Sequence, residues 1–120
     1  MGTTTGAEFK YRMLRCRVYD GDTIMDLVLD LGFGLTITIK GRLYGINTPE
    51  LFGKDRPDGL AARDYLRARI DDADEVLIET RKIGSRMTGK YGRWLIRVWC
   101  DGDDVNAALV DKSFARRATY

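Results

Sequence analysis

A chain of 120 residues, 44% hydrophobic and 32% charged, has the size and composition of one soluble globular domain. No apolar run approaches the roughly 20 residues of a membrane span, which excludes an integral membrane helix. With no histidine and only two cysteines, Cys16 and Cys100, zinc sites and imidazole-driven nucleophiles are excluded as well.

Residues 1–10 read as a flexible tail. The start has neither the basic nor the apolar region of a secretory signal, so a cytoplasmic location is expected. The domain is expected over 11–120. Tyr11 to Tyr19 alternates, with Leu14, Cys16 and Val18 on one face and Arg15 and Arg17 on the other, the pattern of a half-buried strand. Asp20-Gly21 predicts a tight turn, Gly supplying positive φ and Asp bonding its own backbone. In the second strand Met25, Leu27, Leu29 and Leu31 are expected inward, with Asp26, Val28 and Asp30 outward. After Gly32-Phe33-Gly34, Leu35, Ile37 and Ile39 begin a third strand whose other face carries Thr36, Thr38, Lys40 and Arg42. Three strands joined by short turns form an antiparallel meander.

Thr48-Pro49-Glu50 ends the meander, and a polar loop follows over 53–59. From Leu60 the period becomes helical, with Ala62, Tyr65, Leu66, Ile70 and Ala73 in one stripe. Glu75 to Thr80 reads as a fourth strand. The fifth alternates through Trp94, Ile96, Val98 and Cys100, and Asp103-Asp104 caps a second helix through about Phe114. The two cysteines fall within strands and are read as small core groups. The order strand, strand, strand, helix, strand, strand, helix (βββαββα) predicts a mainly β, α+β fold: a five-stranded Greek-key barrel of the oligonucleotide/oligosaccharide-binding type.

Net charge is only +2, too small to imply nucleic acid on its own, but the basic residues cluster. Between Thr80 and Val98, Arg81, Lys82, Arg86, Lys90, Arg93 and Arg97 meet no acidic residue, a segment that attracts phosphate or simply forms a solvated face. Three blocks carry the chemistry: Asp20-Gly21-Asp22-Thr23, Arg42 through Glu50, and Lys90-Tyr91-Gly92-Arg93. Each has an ordinary reading, as a hairpin turn, a Thr-Pro-Glu helix start and another turn. Together they hold the parts for binding a hard cation and a phosphodiester. Asp22, Asn47 and Thr48 can bring side-chain and backbone oxygens to one point. Glu50, one short turn away, can hold or deprotonate a water. Arg42 and Arg93 can each offer a fork of hydrogen bonds to phosphate oxygens.

These blocks, with Val105-Asn106-Ala107-Ala108-Leu109-Val110, fall in the order and at the spacing of the staphylococcal nuclease family, which the chain resembles from about Tyr11 to Tyr120. The form of the Arg42–Glu50 block resembles small phage-borne or bacterial members. The resemblance implies a calcium-dependent endonuclease of DNA and RNA, with single strands preferred and 3′-phosphate ends produced. It implies Asp22, Asn47 and Thr48 at the metal, and Arg42, Glu50 and Arg93 as catalytic groups. It further implies Lys90, Tyr91 and Tyr120 at the substrate. A monomer with DNA and RNA as substrates is the expectation. Two departures within the chain stand out: Asn47 stands where the family usually carries a metal-binding Asp, which bears on activity, and Ser113 stands where a helix-ending Gly is expected, which bears mainly on affinity and stability. Asn47 keeps a second reading open, a nucleic-acid-binding barrel that has lost metal competence.

Overall fold

The computed structural model describes residues 9–80 and 92–118. Its meander comprises β1 (Lys10–Asp20), β2 (Thr23–Gly32) and β3 (Leu35–Leu43), followed by the two-residue β4 (Ile46–Asn47). A 3-10 turn at Gly53–Asp55 leads into helix α1 (Arg56–Asp72). Then come β5 (Val76–Thr80), β6 (Trp94–Cys100), β7 (Asp103–Asp104), helix α2 (Val105–Asp111) and β8 (Arg116–Arg117). The five long strands lie in the order β3-β2-β1-β5-β6, and parallel pairing of β3 with β6 closes the barrel. The expected five-strand, two-helix barrel is the fold. Among the described residues no helix is long and apolar enough to cross a membrane.

A small residue sits at the closing seam. Gly41 pairs with Trp94, and a Cβ at Gly41 would collide with the Ile96 side chain, so glycine lets β3 and β6 meet. Inside, Ile24, Leu27, Leu43, Leu66, Ile78, Ile96 and Leu109 are wholly buried. Each such side chain contributes about 1.5–3 kcal/mol through loss of water contact. Helix α1 lays Ala62, Leu66 and Ile70 on this core, and Tyr65 stacks on Phe114 at 4.8 Å between ring centres. Burial pushes both thiols, Cys16 and Cys100, up to about 11, consistent with packing groups that stay protonated.

Strict alternation misplaces several side chains, because the meander is bulged. In β1, register shifts around Arg15 leave Leu14 exposed and turn Tyr11 and Met13 toward the core along with Cys16 and Val18. In β2 the pairing slips between Ile24 and Leu27, where Asp26 takes φ +50°. Ile24, Leu27 and Leu29 therefore share the interior, Val28 is buried rather than outward, and Leu31 is exposed. In β3, Leu35 and Ile37 are exposed too, because the β2–β3 hairpin runs beyond the barrel wall. Helix α1 starts at Arg56, four residues before the period announces it. Its first turn holds Pro57, where a missing N–H costs no intrahelical bond. Strand β1 likewise starts inside the expected tail, at Lys10, whose ammonium lies 4.3 Å over the Trp99 ring.

Candidate functional site

The β1–β2 turn and the end of β3 meet at one rim of the barrel. Asp22 N–H donates to Asp20 Oδ1 at 3.0 Å, so the turn is tied by its own aspartate. Asp22 is only 8% exposed, and its carboxylate is fully engaged. Oδ1 accepts from the Thr23 hydroxyl, and Oδ2 accepts the Thr48 N–H at 2.9 Å across 26 residues of sequence. Arg42 Nη1 lies 3.4 Å from the same Oδ2 and donates to the Leu43 carbonyl at 2.9 Å, while Nη2 donates to Asn47 Oδ1. Asp22, Arg42, Asn47 and Thr48 therefore form one connected group. A buried carboxylate of this kind requires its partners, and Arg42 is the counter-charge.

Two glycines hold this group in place. At Gly21 it is lack of bulk that matters, not the expected positive φ: a Cβ there would lie 2.7 Å from Thr48 Cγ2 and 2.8 Å from Ala62 Cβ. Gly59, in the first turns of α1, lies so close to Glu50 that a Cβ would overlap the Glu50 carbonyl oxygen. Gly21 lets the Asp20–Thr23 turn close on the side chains of Thr48 and Ala62, and Gly59 brings helix backbone against the backbone of Glu50, seating it on the helix. Asn106 adds a third tie. Its Nδ2 donates to the carbonyls of Tyr44 and Ile96, and its Oδ1 accepts the Val98 N–H, joining α2 and β6 to the segment that carries Arg42 and Asn47.

Glu50 is exposed and, among the described residues, its carboxylate has neither a hydrogen bond nor an ion pair. With Asn47 and Thr48 it lines a hollow of about 660 Å³, which extends to Asp55 and Asp58 on one wall and to the segment from Lys112 to Arg117 on the other. Arg93 immediately precedes β6. Parallel pairing of Trp94 with Gly41 and Leu95 with Arg42 brings Arg93 in alongside the same stretch of β3, half-buried. Lys90, Tyr91 and Tyr120, expected at the substrate, lie outside the described residues. Burial, with the Asp22 carboxylate next in effect, pushes Asp20 up to about 6.

Asp22 and Asn47 supply oxygen donors of the kind that could hold a hard cation. Asp22 Oδ2 and Asn47 Oδ1 both face a positive group, the Arg42 guanidinium, so their lone pairs already converge on a site of positive charge. Oxygen donors of this type suit calcium or magnesium. The set is lean, however: among the described residues no group of three or more His, Cys, Asp or Glu side chains could hold a metal ion.

The family model of the staphylococcal nuclease homologues matches residues 40–120, two thirds of the chain. The chain belongs to that family. Its domain is thus of the nuclease or nucleic-acid-binding type. No curated protein matches the chain. The matched stretch includes Arg42, Asn47, Thr48, Glu50 and Arg93 but begins after Asp22, which is joined to them by the Thr48 hydrogen bond and the ion pair with Arg42.

Sequence reading missed two positions here. In the sequence Gly59 belongs to a polar loop, and only the packing of α1 on Glu50 shows its use. Arg116 carried no motif, yet it pairs directly with Asn47 through β4 and β8. A signal for it was present in the run of basic residues just past the second helix.

Proposed function

We propose that this protein is a calcium-dependent phosphodiesterase that hydrolyses DNA and RNA without regard to the sugar, single strands preferred, leaving 3′-phosphate ends. The observation that carries the reading is the convergence of Asp22, Arg42, Asn47 and Thr48 beside Glu50, an acid with no described partner that opens onto a hollow. A barrel that only bound nucleic acid would have no use for a carboxylate aimed at phosphate, which it repels.

The roles follow from chemistry. A cation held by Asp22, Asn47 and the Thr48 carbonyl would supply positive charge to a phosphoryl oxygen. Arg42 is poised for exchange: its guanidinium now bonds Asn47 and faces Asp22, and the same fork can turn to phosphate oxygens. Arg93 enters from the parallel neighbour of that strand and adds a second guanidinium for charge developing on the phosphate. Glu50, free to accept a hydrogen bond, orients a water or takes its proton. Phosphoryl transfer asks mainly for such positioning and charge, not for a covalent nucleophile from the protein.

One observation favours a second reading. Asn47 offers an amide where a carboxylate would bind calcium more tightly, and its oxygen is occupied by Arg42. A catalytically silent nucleic-acid-binding barrel fits that feature. Heat-denatured DNA incubated with calcium, magnesium or chelator separates the two. Acid-soluble fragments appearing with calcium and not with chelator support the phosphodiesterase. DNA that stays intact at millimolar calcium, yet is retarded on a native gel, establishes the binding module instead.

A further inference from the structure

The hollow beside Glu50 is larger than one phosphate needs, and its far wall is cationic. Strand β8 forms that wall, with Asn47 opposite Arg116 and Ile46 opposite Arg117. Directly opposed residues of an antiparallel pair project to the same face of the sheet, their Cβ atoms about 4.5–5.5 Å apart. The Asn47 side chain points to Arg42. Arg116 therefore projects on the side of the sheet that carries the Arg42–Asp22 group. It is exposed, and among the described residues its guanidinium has no hydrogen bond and no ion pair. The opposite wall is acidic, with Asp55 and Asp58.

From this we infer a second nucleotide subsite, resting on the nucleic-acid reading above: Arg116 binds the phosphodiester next to the one placed between Arg42 and Arg93. The two walls set the orientation. Carboxylates at Asp55 and Asp58 repel phosphate, so the backbone of a bound strand runs along β8, with sugar and base toward α1. An unpaired arginine fork is the right group for this, because it meets two phosphate oxygens at once. Lys112, on the same wall, adds attraction at longer range.

The test uses short thymidine oligonucleotides that differ by one phosphate. The dinucleotide d(TpT) has only the central phosphodiester, whereas d(pTpT) and d(TpTp) add a terminal phosphate at one end or the other. Affinity is read by competition against a fluorescent oligonucleotide in chelator, and cleavage in calcium. For the wild type, a terminal phosphate at one end should tighten binding about tenfold through a charge-assisted contact. Arg116→Gln should abolish the gain at that end, leave the other end unchanged and leave d(TpT) unchanged. Arg116→Lys should recover part of it. Arg15→Gln, which removes one exposed charge on β1, should change nothing. Equal weakening of all three ligands by Arg116→Gln, or no weakening of any, overturns the subsite. If the phosphate-dependent gain is lost as expected but no ligand is ever cleaved, the subsite stands and the phosphodiesterase reading falls.

Discussion

The two ends of the β2–β3 pair invert the usual rule of burial. Where Thr23 pairs with Arg42, charged groups are inside: Asp22 is 8% exposed, with Arg42, Thr48 and Asn47 closed around it. Where Gly32 pairs with Leu35, apolar groups are outside: Leu31, Leu35 and Ile37 are exposed, and Phe33 at the tip is wholly so. The same two strands thus hold polar atoms in the wall of the barrel and greasy ones beyond it. Burial here follows position along the barrel axis and not residue type. Charge is retained inside only where hydrogen bonds satisfy it, which marks the first end as the functional one.

Deletion of one side chain at each end gives the largest contrast. Leu27→Ala, in the barrel, should cost about 3 kcal/mol in urea unfolding, whereas Leu35→Ala, on the hairpin, should cost less than about 0.5 kcal/mol. Similar losses would mean that something covers the hairpin and the contrast is false. Next comes Arg42→Lys, which keeps a positive charge opposite Asp22 but loses the fork. Hydrolysis should fall about 100-fold, or about 2.7 kcal/mol in the barrier, with little change in stability. Gly59→Ala should then cost about 2 kcal/mol, because the new methyl overlaps the Glu50 carbonyl, and it should lower turnover by moving Glu50. Full stability together with reduced turnover would place the contact in catalysis alone.

The smallest effect concerns Asp20, whose proton is held in the fold up to about pH 6. A carboxyl with a raised folded value contributes stability fully below its unfolded value near 3.9, and loses that contribution as pH rises through 6. Asp20→Asn can keep the bond to the Asp22 N–H and has no charge to lose. In chelator it should match the wild type near pH 4 and exceed it by about 1 kcal/mol at pH 7, after allowance for solvent screening. An identical difference at both pH values would show that neither burial nor the Asp22 charge raises Asp20 in the fold.

Much of this was legible in the residues. Turn-forming Asp20-Gly21, the switch of period in α1 and the Asp104 cap are local signals; the turn and the cap stand where they are expected, Asp104 accepting the Ala107 N–H at 3.0 Å, while α1 begins four residues ahead of its period. The left-handed position at Ser113 was legible too, at φ +66°, because the helix end demanded it whatever residue filled it. Bulges were not legible. Neither Arg15 nor Asp26 declares a register shift, so Leu14, Val28 and Leu31 went to the wrong faces. Length of a hairpin relative to its barrel is likewise a property of the closed sheet and not of the alternating pattern. In the site, residue types pointed to Asp22, Arg42, Asn47, Thr48 and Glu50, but the partnership of Arg116 with Asn47 exists only once β8 returns to pair with β4.

Side-by-side kinetics and binding of wild type and Glu50→Gln on a fluorogenic single-stranded oligonucleotide at saturating calcium address the central claim most directly. Glu50 is exposed and without a described partner, so its replacement by an isosteric amide should leave folding intact. The account predicts a fall in kcat of at least about 100-fold with oligonucleotide affinity unchanged or improved. Equal turnover by both proteins, or none by the wild type, would contradict it.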